Sequence, residues 1–490
     1  MATGSAASML PNTGTDAKIA LAVDLDETLI AADTLIEGAA VLVKRHPSYI
    51  VRLLRWLAAG KHRFKARIAG AVTLDVARLP YRAEVLEYLR AARSQGRRIV
   101  LATAANGRVA NQVAAHLGLF DEVIASDDAV NLAGERKRQR LVALYGERGF
   151  DYVGSGRADV PVWRSARLAV LVGHDAALSR RASAVTVSGT VIAKHETGLA
   201  DYLSALRLHH WLKNLLIFAP LIVAHRLADQ ALLTQAGVAF LAFGLCASGV
   251  YLLNDLLDIE DDRRHPRKRA RPIPSGRVPA RVALAGSVVL LAIGLGLGLR
   301  LSGEFALVLA GYVFLNLLYS LWLKAIVIVD VLVLAGFHAM RITAGSVVTG
   351  LWLSPWLMAV AVLMFLSLAL VKRYAELVTM REVDGVHARA RGYRSDDARL
   401  LAAFGAGAGC LAAAVLALCI HSGANYLLFA RPSAMWVLCV LMLCWISYLW
   451  LMARHRRMHD DPLVFALLDP VSCVLIALMV GVYLSDLRVT

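Results

Sequence analysis

Charged side chains are scarce in this chain: 18% of its 490 residues are Asp, Glu, Lys or Arg, against about a quarter in a soluble domain. The hydrophobic set reaches 58%, and mean hydropathy is +0.57. A wholly soluble protein is thereby excluded. Cysteine is sparse as well. All six (Cys246, Cys410, Cys419, Cys439, Cys444, Cys473) lie in apolar stretches of the second half, with no CxxC and no His at ligand spacing, which excludes a disulfide framework and a zinc site. The first twenty residues lack an apolar core behind a basic start, and strand-like KIALAVDLD follows directly. No cleaved signal peptide is expected, and the N-terminus is expected in the cytoplasm. Acids are short relative to bases, 37 against 53, leaving +16. That excess suits anionic lipid headgroups or phosphorylated substrates; no nucleic-acid partner is expected.

The composition breaks near residue 200. Residues 1–17 read as a flexible tail and 18–195 as an α/β domain, because short apolar runs (IALAVDLD, RRIVLATAAN, DEVIASDD, FDYVGSG, LAVLVG, SAVTVSG) alternate with polar helical stretches. The first two strands are separated by an insert of roughly seventy residues, too long for a simple crossover. Within it YIVRLLRWLAAGKHRFKARIAG reads as one basic amphipathic helix: a cap over a site, a face against the membrane, or a helix packed on its own domain.

Residues 203–490 read as an all-α membrane domain. Nine apolar stretches are long enough to cross a hydrocarbon layer of roughly 30 Å: 211–225, 234–253, 279–299, 304–323, 326–348, 353–371, 398–420, 434–452 and 464–484. The first is short and carries Lys213 and Asn214. Basic residues crowd the loops after the second and sixth stretches, so the positive-inside rule puts those loops and the N-terminus in the cytoplasm and the C-terminus outside, in agreement with an odd count. The expected location is the inner (plasma) membrane, multi-pass, among lipids; self-association is left open.

The most informative segment is NDLLDIEDDRRHPRKRARPIPSG, residues 254–276. Asn254, Asp258 and Asp262 fall at i, i+4, i+8 with Asp255 beside them, so a continued helix aims their oxygens at one spot. Hard oxygen donors suit Mg²⁺, whose shell is commonly completed by substrate phosphates. The basic run that follows would neutralise the remaining phosphate oxygens, although as a charged loop it also obeys the positive-inside rule. NDxxDxxxD at the end of the second of nine helices resembles the first signature of the UbiA-type intramembrane prenyltransferase superfamily, over residues from about 203 onward. The stretches DRRHPRKRARPIPSG, RLHHWLKN, YSLWLK, RITAG and KRYAEL are similar to those of decaprenyl-phosphate phosphoribosyltransferases. Where relatives that prenylate aromatic rings carry a second DxxxD motif, this chain has Lys372-Arg373-Tyr374-Ala375-Glu376; Leu208 stands where the family usually has Pro.

The resemblance implies transfer of 5-phosphoribose from phosphoribosyl diphosphate to a polyprenyl phosphate. On that basis Asn254, Asp255, Asp258 and Asp262 are expected to hold Mg²⁺ and diphosphate. Lys213, Asn214, Lys268, Arg271, Lys324, Lys372 and Arg373 are expected on donor or acceptor phosphates, and Tyr374 and Glu376 on ribose hydroxyls. Each of these latter side chains also has a plain reading as an interfacial or snorkelling residue. Two rivals stay open: transfer of a polyprenyl chain to an aromatic quinone precursor, and transport of phosphorylated lipids. Asp330 and Arg341, within one apolar stretch, and Asp469 are either functional or structural.

VDLDETLI places Asp24 and Asp26 directly after an apolar strand, resembling the DxDx[TV] opening of the haloacid dehalogenase superfamily over residues of about 18 to 190. The resemblance implies an α/β (Rossmann-like) phosphatase domain with a helical cap, ahead of the nine-helix UbiA-type bundle. It implies Asp24 as nucleophile and Mg²⁺ ligand, Asp26 as general acid and base, Thr103 on the phosphate, Lys137 against the phosphoryl group, and Asp159 on the metal. The fourth motif departs: Ser155 stands where the family's first acid belongs, which weakens the metal site. The domain is then either a phosphatase, with the ribosylated lipid as the expected substrate, or a degenerate regulatory scaffold.

Overall fold

Each of the six apolar runs of the first half becomes a parallel strand. In the computed structural model these are β1 (Ala20–Val23), β2 (Ile99–Asn106), β3 (Glu122–Ser126), β4 (Phe150–Gly154), β5 (Leu168–Val172) and β6 (Val187–Ile192), in the order β3-β2-β1-β4-β5-β6. The structure describes residues 19–127, 130–384, 389–390, 392–422, 435–458 and 462–485. The tail expected over 1–17 and the chain end at 486–490 lie outside the described residues. All pairings in this six-stranded sheet are parallel, with Leu21 opposite Ile99 and Asp151, and the central strands β1, β2, β4 and β5 are almost wholly buried. The strand order reverses at β1, between β2 and β4, which is where a doubly wound sheet opens a crevice at its carboxyl ends. Both DxD acids follow β1, and the fourth motif follows β4. The last strand begins four residues later than SAVTVSG suggests, because Ala176–Ser183 is helical up to that point.

The insert forms three helices: α1 (Thr34–Arg45), α2 (Tyr49–Ala58) and α3 (Lys61–Ala71). The single amphipathic helix expected over this stretch is therefore two. Gly60 separates them at φ +106°, a conformation that L side chains rarely adopt. No residue of α2 is buried, and Ile50, Val51, Leu54 and Leu57 are exposed.

The chain divides into two compact units, 1–206 with 251–288, and 207–250 with 289–490. This differs from a boundary near 200: the acidic and basic loop after the second apolar stretch folds with the α/β domain, for electrostatic reasons given below.

Among the described residues, seven helices are long and apolar enough to cross a membrane, or eight if a bent pair counts as one span, so the nine expected are not all present. The chain is an integral membrane protein. The first expected span is instead a 3₁₀ stretch, Leu208–Phe218, followed by a short helix, Ala219–Val223, that starts around Pro220. The last is broken between Pro462–Leu468 and Pro470–Ser485 by an 81° bend. Pro470 supplies no backbone donor and disfavours helix at Asp469. Asp469 accepts from the Ser472 amide at 3.0 Å, so this acid caps the second piece. With the count reduced, parity no longer argues for an orientation.

The second unit packs around Phe365, Trp445, Ile446 and Leu449. Helices Pro355–Asp384 and Ala398–His421 approach closely at a small residue: a Cβ at Gly405 would lie 3.0 Å from Leu370 Cβ, and 2.1 Å from the Trp450 ring of the following helix, Trp436–Arg454.

Candidate functional site

In the α/β domain the centre is built from the ends of β1 and β4. Lys137 Nζ donates to Asp24 Oδ1 at 2.9 Å and to the Tyr152 hydroxyl at 2.7 Å, and lies 3.7 Å from Asp159 Oδ1. Burial would lower the Lys137 pKa, but the Asp24 and Asp159 carboxylates outweigh it and leave it raised. Burial pushes Asp24 up to about 6, against the pull of Lys137. Asp26 rises to about 7, again mainly by burial, with Asp33 adding to it. The Thr34 amide and hydroxyl donate to Asp26 at 2.9 and 3.2 Å, so the N-terminus of α1 fixes the second acid. Thr103 is wholly buried on β2, its hydroxyl accepting from the Ala105 amide at 3.0 Å. A narrow cleft opens beside Asp26, walled by Ile68 and Val72 of the insert and by Ala105 and Val109. Of the insert, α3 thus contributes to the wall of this cleft, while α2 does not line it.

Three carboxylates face one ammonium here, and burial keeps two of them hard to ionise, so the centre is short of positive charge and its donors fit a divalent cation. Asp24, now bound to Lys137, is the carboxylate that would hold one. Asp159, also expected to do so, is spent otherwise: Tyr152 donates to Oδ1 at 2.9 Å, and the Ser155 and Gly156 amides to Oδ2 at 3.1 and 3.0 Å. Ser155 accepts from Thr28 at 2.9 Å. The substitution in the fourth motif is thus absorbed into a local hydrogen-bond network.

The second centre is the acidic run. The continued helix expected through it does not form. Helix Gln230–Leu257 ends, Asp258 adopts φ −90°, ψ 11°, and a short helix, Ile259–Arg264, follows. The break separates the acids into two sets. Asp255 and Asp262, both buried, share the Arg271 guanidinium at 3.4 and 2.7 Å. Asp258 turns instead to Lys44 of α1, which also lies 3.4 Å from Asp261. Arg263 clamps Glu37 with two bonds of 2.7 and 2.8 Å, and Arg45 meets Glu260 at 2.8 Å. Among the described residues, no three acidic, His or Cys side chains already converge on a metal. The donor set is nevertheless hard oxygen throughout, and each carboxylate is held by a cation that a metal with its diphosphate could replace. Asn254 and Lys268 are half-buried beside these acids in the chain.

In the second unit, Arg373 was expected on a phosphate but is fully buried and bound to Asp330, to Glu376 and, at 2.9 Å, to the Tyr319 hydroxyl. Glu376 is correspondingly engaged with Arg373 rather than with a ribose. Tyr374 sets its ring edge-on to Trp450 with centroids 5.7 Å apart. Asp330 also accepts from the Tyr393 hydroxyl at 2.5 Å, so its partners come from other elements and not from Arg341. Arg341 is held by Asn214 at 2.9 Å, the Phe337 carbonyl at 2.6 Å and the Tyr312 hydroxyl at 3.0 Å, and lies against the Phe243 and Tyr312 rings. Lys213 is buried; Lys324 and Lys372 are half-buried. Lys44, Glu37 and Thr34 carried no motif. Lys65, which donates to the Ala104 carbonyl at 2.8 Å beside the cleft, stood only within the basic amphipathic stretch.

Residues 215–469 match the UbiA prenyltransferase family, and residues 21–164 match the haloacid dehalogenase-like hydrolases. An uncharacterized protein of Sinorhizobium fredii, y4nM, is 35% identical over 471 residues, 96% of this chain and 91% of its own. Nodulation protein NoeC of Azorhizobium caulinodans is 32% identical over 56% of this chain and 89% of its own. Decaprenyl-phosphate phosphoribosyltransferase of Corynebacterium glutamicum is 37% identical over 185 residues, 37% of this chain; the match spans 56% of that protein.

Proposed function

Because the chain belongs to the UbiA prenyltransferase family and carries a haloacid dehalogenase-like domain ahead of that region, we propose that it transfers 5-phosphoribose from phosphoribosyl diphosphate to a polyprenyl phosphate. The product is a polyprenyl-phosphoryl-5-phosphoribose, a precursor type for cell-envelope polysaccharide. The observation that carries this reading is the replacement of a second acidic motif by Lys372-Arg373-Tyr374-Ala375-Glu376, in which Arg373 is neutralised internally by Asp330 and Glu376. That leaves one acidic run for one diphosphate, and for Lys213, Lys324 and Lys372 we keep the phosphate-binding roles that the resemblance to phosphoribosyltransferases implies. The 37% identity to a phosphoribosyltransferase supports the same donor.

The acceptor phosphate is already anionic, so no general base is required. Its oxygen attacks the anomeric carbon, the bond to diphosphate breaks, and diphosphate leaves with the electron pair. Asn254, Asp255, Asp258 and Asp262 position the donor, and Arg271 and Lys268 stabilise the departing charge. Mg²⁺, when bound by these acids, would screen the diphosphate. We further propose that the α/β domain removes the 5-phosphate from this lipid. Asp24 attacks phosphorus as the bond to the ribose oxygen breaks, Asp26 in its protonated form supplies that oxygen with a proton, and Lys137 and Thr103 hold the phosphoryl oxygens; water, giving its proton back to Asp26, then hydrolyses the aspartyl phosphate, releasing phosphate and restoring Asp24.

The test is incubation of the purified chain with labelled phosphoribosyl diphosphate, a polyprenyl monophosphate and Mg²⁺, with Asp258→Asn in parallel. Label is expected in the organic phase for the wild type alone, and the phosphate count of the lipid reports on the α/β domain. Consumption of a polyprenyl diphosphate with an aromatic acceptor, without transfer of label, would overturn the choice of donor in favour of ring prenylation. Metal-independent movement of intact lipid between leaflets would point to transport.

A further inference from the structure

We propose that Lys44, a residue of the α/β domain, makes the acidic run take up a metal together with its diphosphate in preference to the bare metal. This deepens the reading of Asp255, Asp258 and Asp262 as metal and diphosphate ligands and rests on it. The UbiA family match begins at residue 215, so Lys44 comes from a part of the chain that this family does not supply.

The placement of Lys44 is built and not incidental. Glu37, Lys44 and Arg45 stand at i, i+7 and i+8 on α1 and therefore share a helix face. Every one of them is paired with the segment 258–263. The Glu37–Arg263 pair is bidentate, with side chains 2% and 7% exposed, and acts as the anchor. Arg45 on Glu260 fixes the far end of the face. Between these points Lys44 lies on Asp258 and within reach of Asp261, its side chain 21% exposed and that of Asp258 16%. Burial of this degree weakens solvent screening, so charge at this point is felt by whatever Asp258 binds.

The consequence is one of sign. A bare dication arriving at Asp258 must displace an ammonium that cannot leave the vicinity, because α1 is anchored on either side of it. Like-charge repulsion then penalises the bare metal. A diphosphate brings more negative charge than the metal brings positive, and offers the displaced ammonium new oxygen partners. The same Lys44 then favours the pair. Arg271, which bridges Asp255 and Asp262, acts in the same direction from within the loop. Lys44 thus determines which species the centre accepts, and in what order its components can arrive.

The test uses the full chain in detergent with Asp24→Asn as background, which takes a metal carboxylate from the other centre. Free Mn²⁺ is followed by its electron paramagnetic resonance signal, with and without inorganic diphosphate. Diphosphate is expected to tighten Mn²⁺ binding about tenfold or more. Lys44→Met is expected to bind bare Mn²⁺ several-fold tighter and to lose most of the gain from diphosphate, roughly tenfold. Lys44→Arg should keep the parent behaviour, and Lys44→Gln, which keeps a polar end without charge, should follow Lys44→Met. Unchanged affinities in both uncharged variants, or weaker binding of bare Mn²⁺, overturn the proposal. If Asp258→Asn leaves Mn²⁺ binding unchanged, the assignment of metal to the acidic run itself fails, which is a different result.

Discussion

Two acidic centres lie in the same compact unit, and they are neutralised in different ways. At the end of β1, Asp24 and Asp159 meet an ammonium from their own fold, Lys137, with Tyr152 from the adjacent strand completing the contact. In the acidic run, Asp255 and Asp262 have a local partner in Arg271, but Asp258 takes a lysine 214 residues earlier in the chain. The first centre is preorganised by sheet geometry, and burial tunes it: Asp24 at about 6 and Asp26 at about 7 stand where a carboxyl can exchange a proton near neutrality. The second is held by long-range ion pairs that a charged ligand can rearrange. A motif of nine residues specifies where acids stand in the chain; it does not specify what neutralises them.

The sharpest way to break this comparison is to disable each centre alone. Asp258→Asn is expected to lower ribosyl transfer by about a thousandfold while leaving phosphate release from a soluble phosphomonoester within about twofold. Asp24→Asn is expected to do the reverse, again by about a thousandfold. If either change abolished both activities, the centres would not be separate. Glu37→Ala tests the anchor. It strands a nearly buried guanidinium, and thermal unfolding of the purified chain should report a loss of about 3 kcal/mol. Restoring the missing acid sharpens the contrast from the other side: Ser155→Asp should tighten the Mg²⁺ requirement of phosphate release about tenfold, read from its half-saturating Mg²⁺ concentration. The smallest effect is expected at Leu54→Ser on α2, where a side chain already 66% exposed has little burial to lose. The stability change should stay within about 0.5 kcal/mol in the same unfolding measurement.

Much of the α/β domain was legible because each of the first five strands is a short apolar run closed by Gly, Asn or Asp, and because the DxD acids sit at a strand end and Lys137 at a helix start, where local sequence decides position; Thr103, expected at the end of its strand, lies within β2, which runs on to Asn106. Most of the membrane stretches were legible for a similar reason, since length and hydropathy determine which segments can span. What escaped depends on partners distant in the chain or on single backbone positions. Gly60 splits one amphipathic pattern into two helices, and Pro470 breaks the last span. The helix break at Asp258 sends alternate acids to different cations, although the i, i+4, i+8 spacing placed them together. Asp330 and Arg341 looked like neighbours on one helix, yet Arg373 from the next helix claims Asp330, while Arg341 is satisfied by an amide, a carbonyl and a phenol. Opposite charges pair where the tertiary fold brings them, and periodicity in one segment carries no record of that.

Gly276 adopts φ +76°, and a Cβ there would fall 2.2 Å from the carbonyl oxygen of Ala31, so the basic loop presses directly on the turn that follows the DxD acids. Nearby, Arg277 bonds Asp201 at 2.7 Å and Arg281 bonds Glu27 at 2.9 Å. For anyone wishing to express the two activities separately, the apparent linker near residue 200 is therefore a poor place to cut. A membrane fragment beginning there would carry away Arg281 and Arg263, the counter-charges of Glu27 and Glu37, and a soluble fragment ending there would leave those acids and the apolar turn beneath Gly276 facing water. Gene fusion in this protein has become structural interdependence, and a separated pair would have to be redesigned along that surface before either half could be judged on its own.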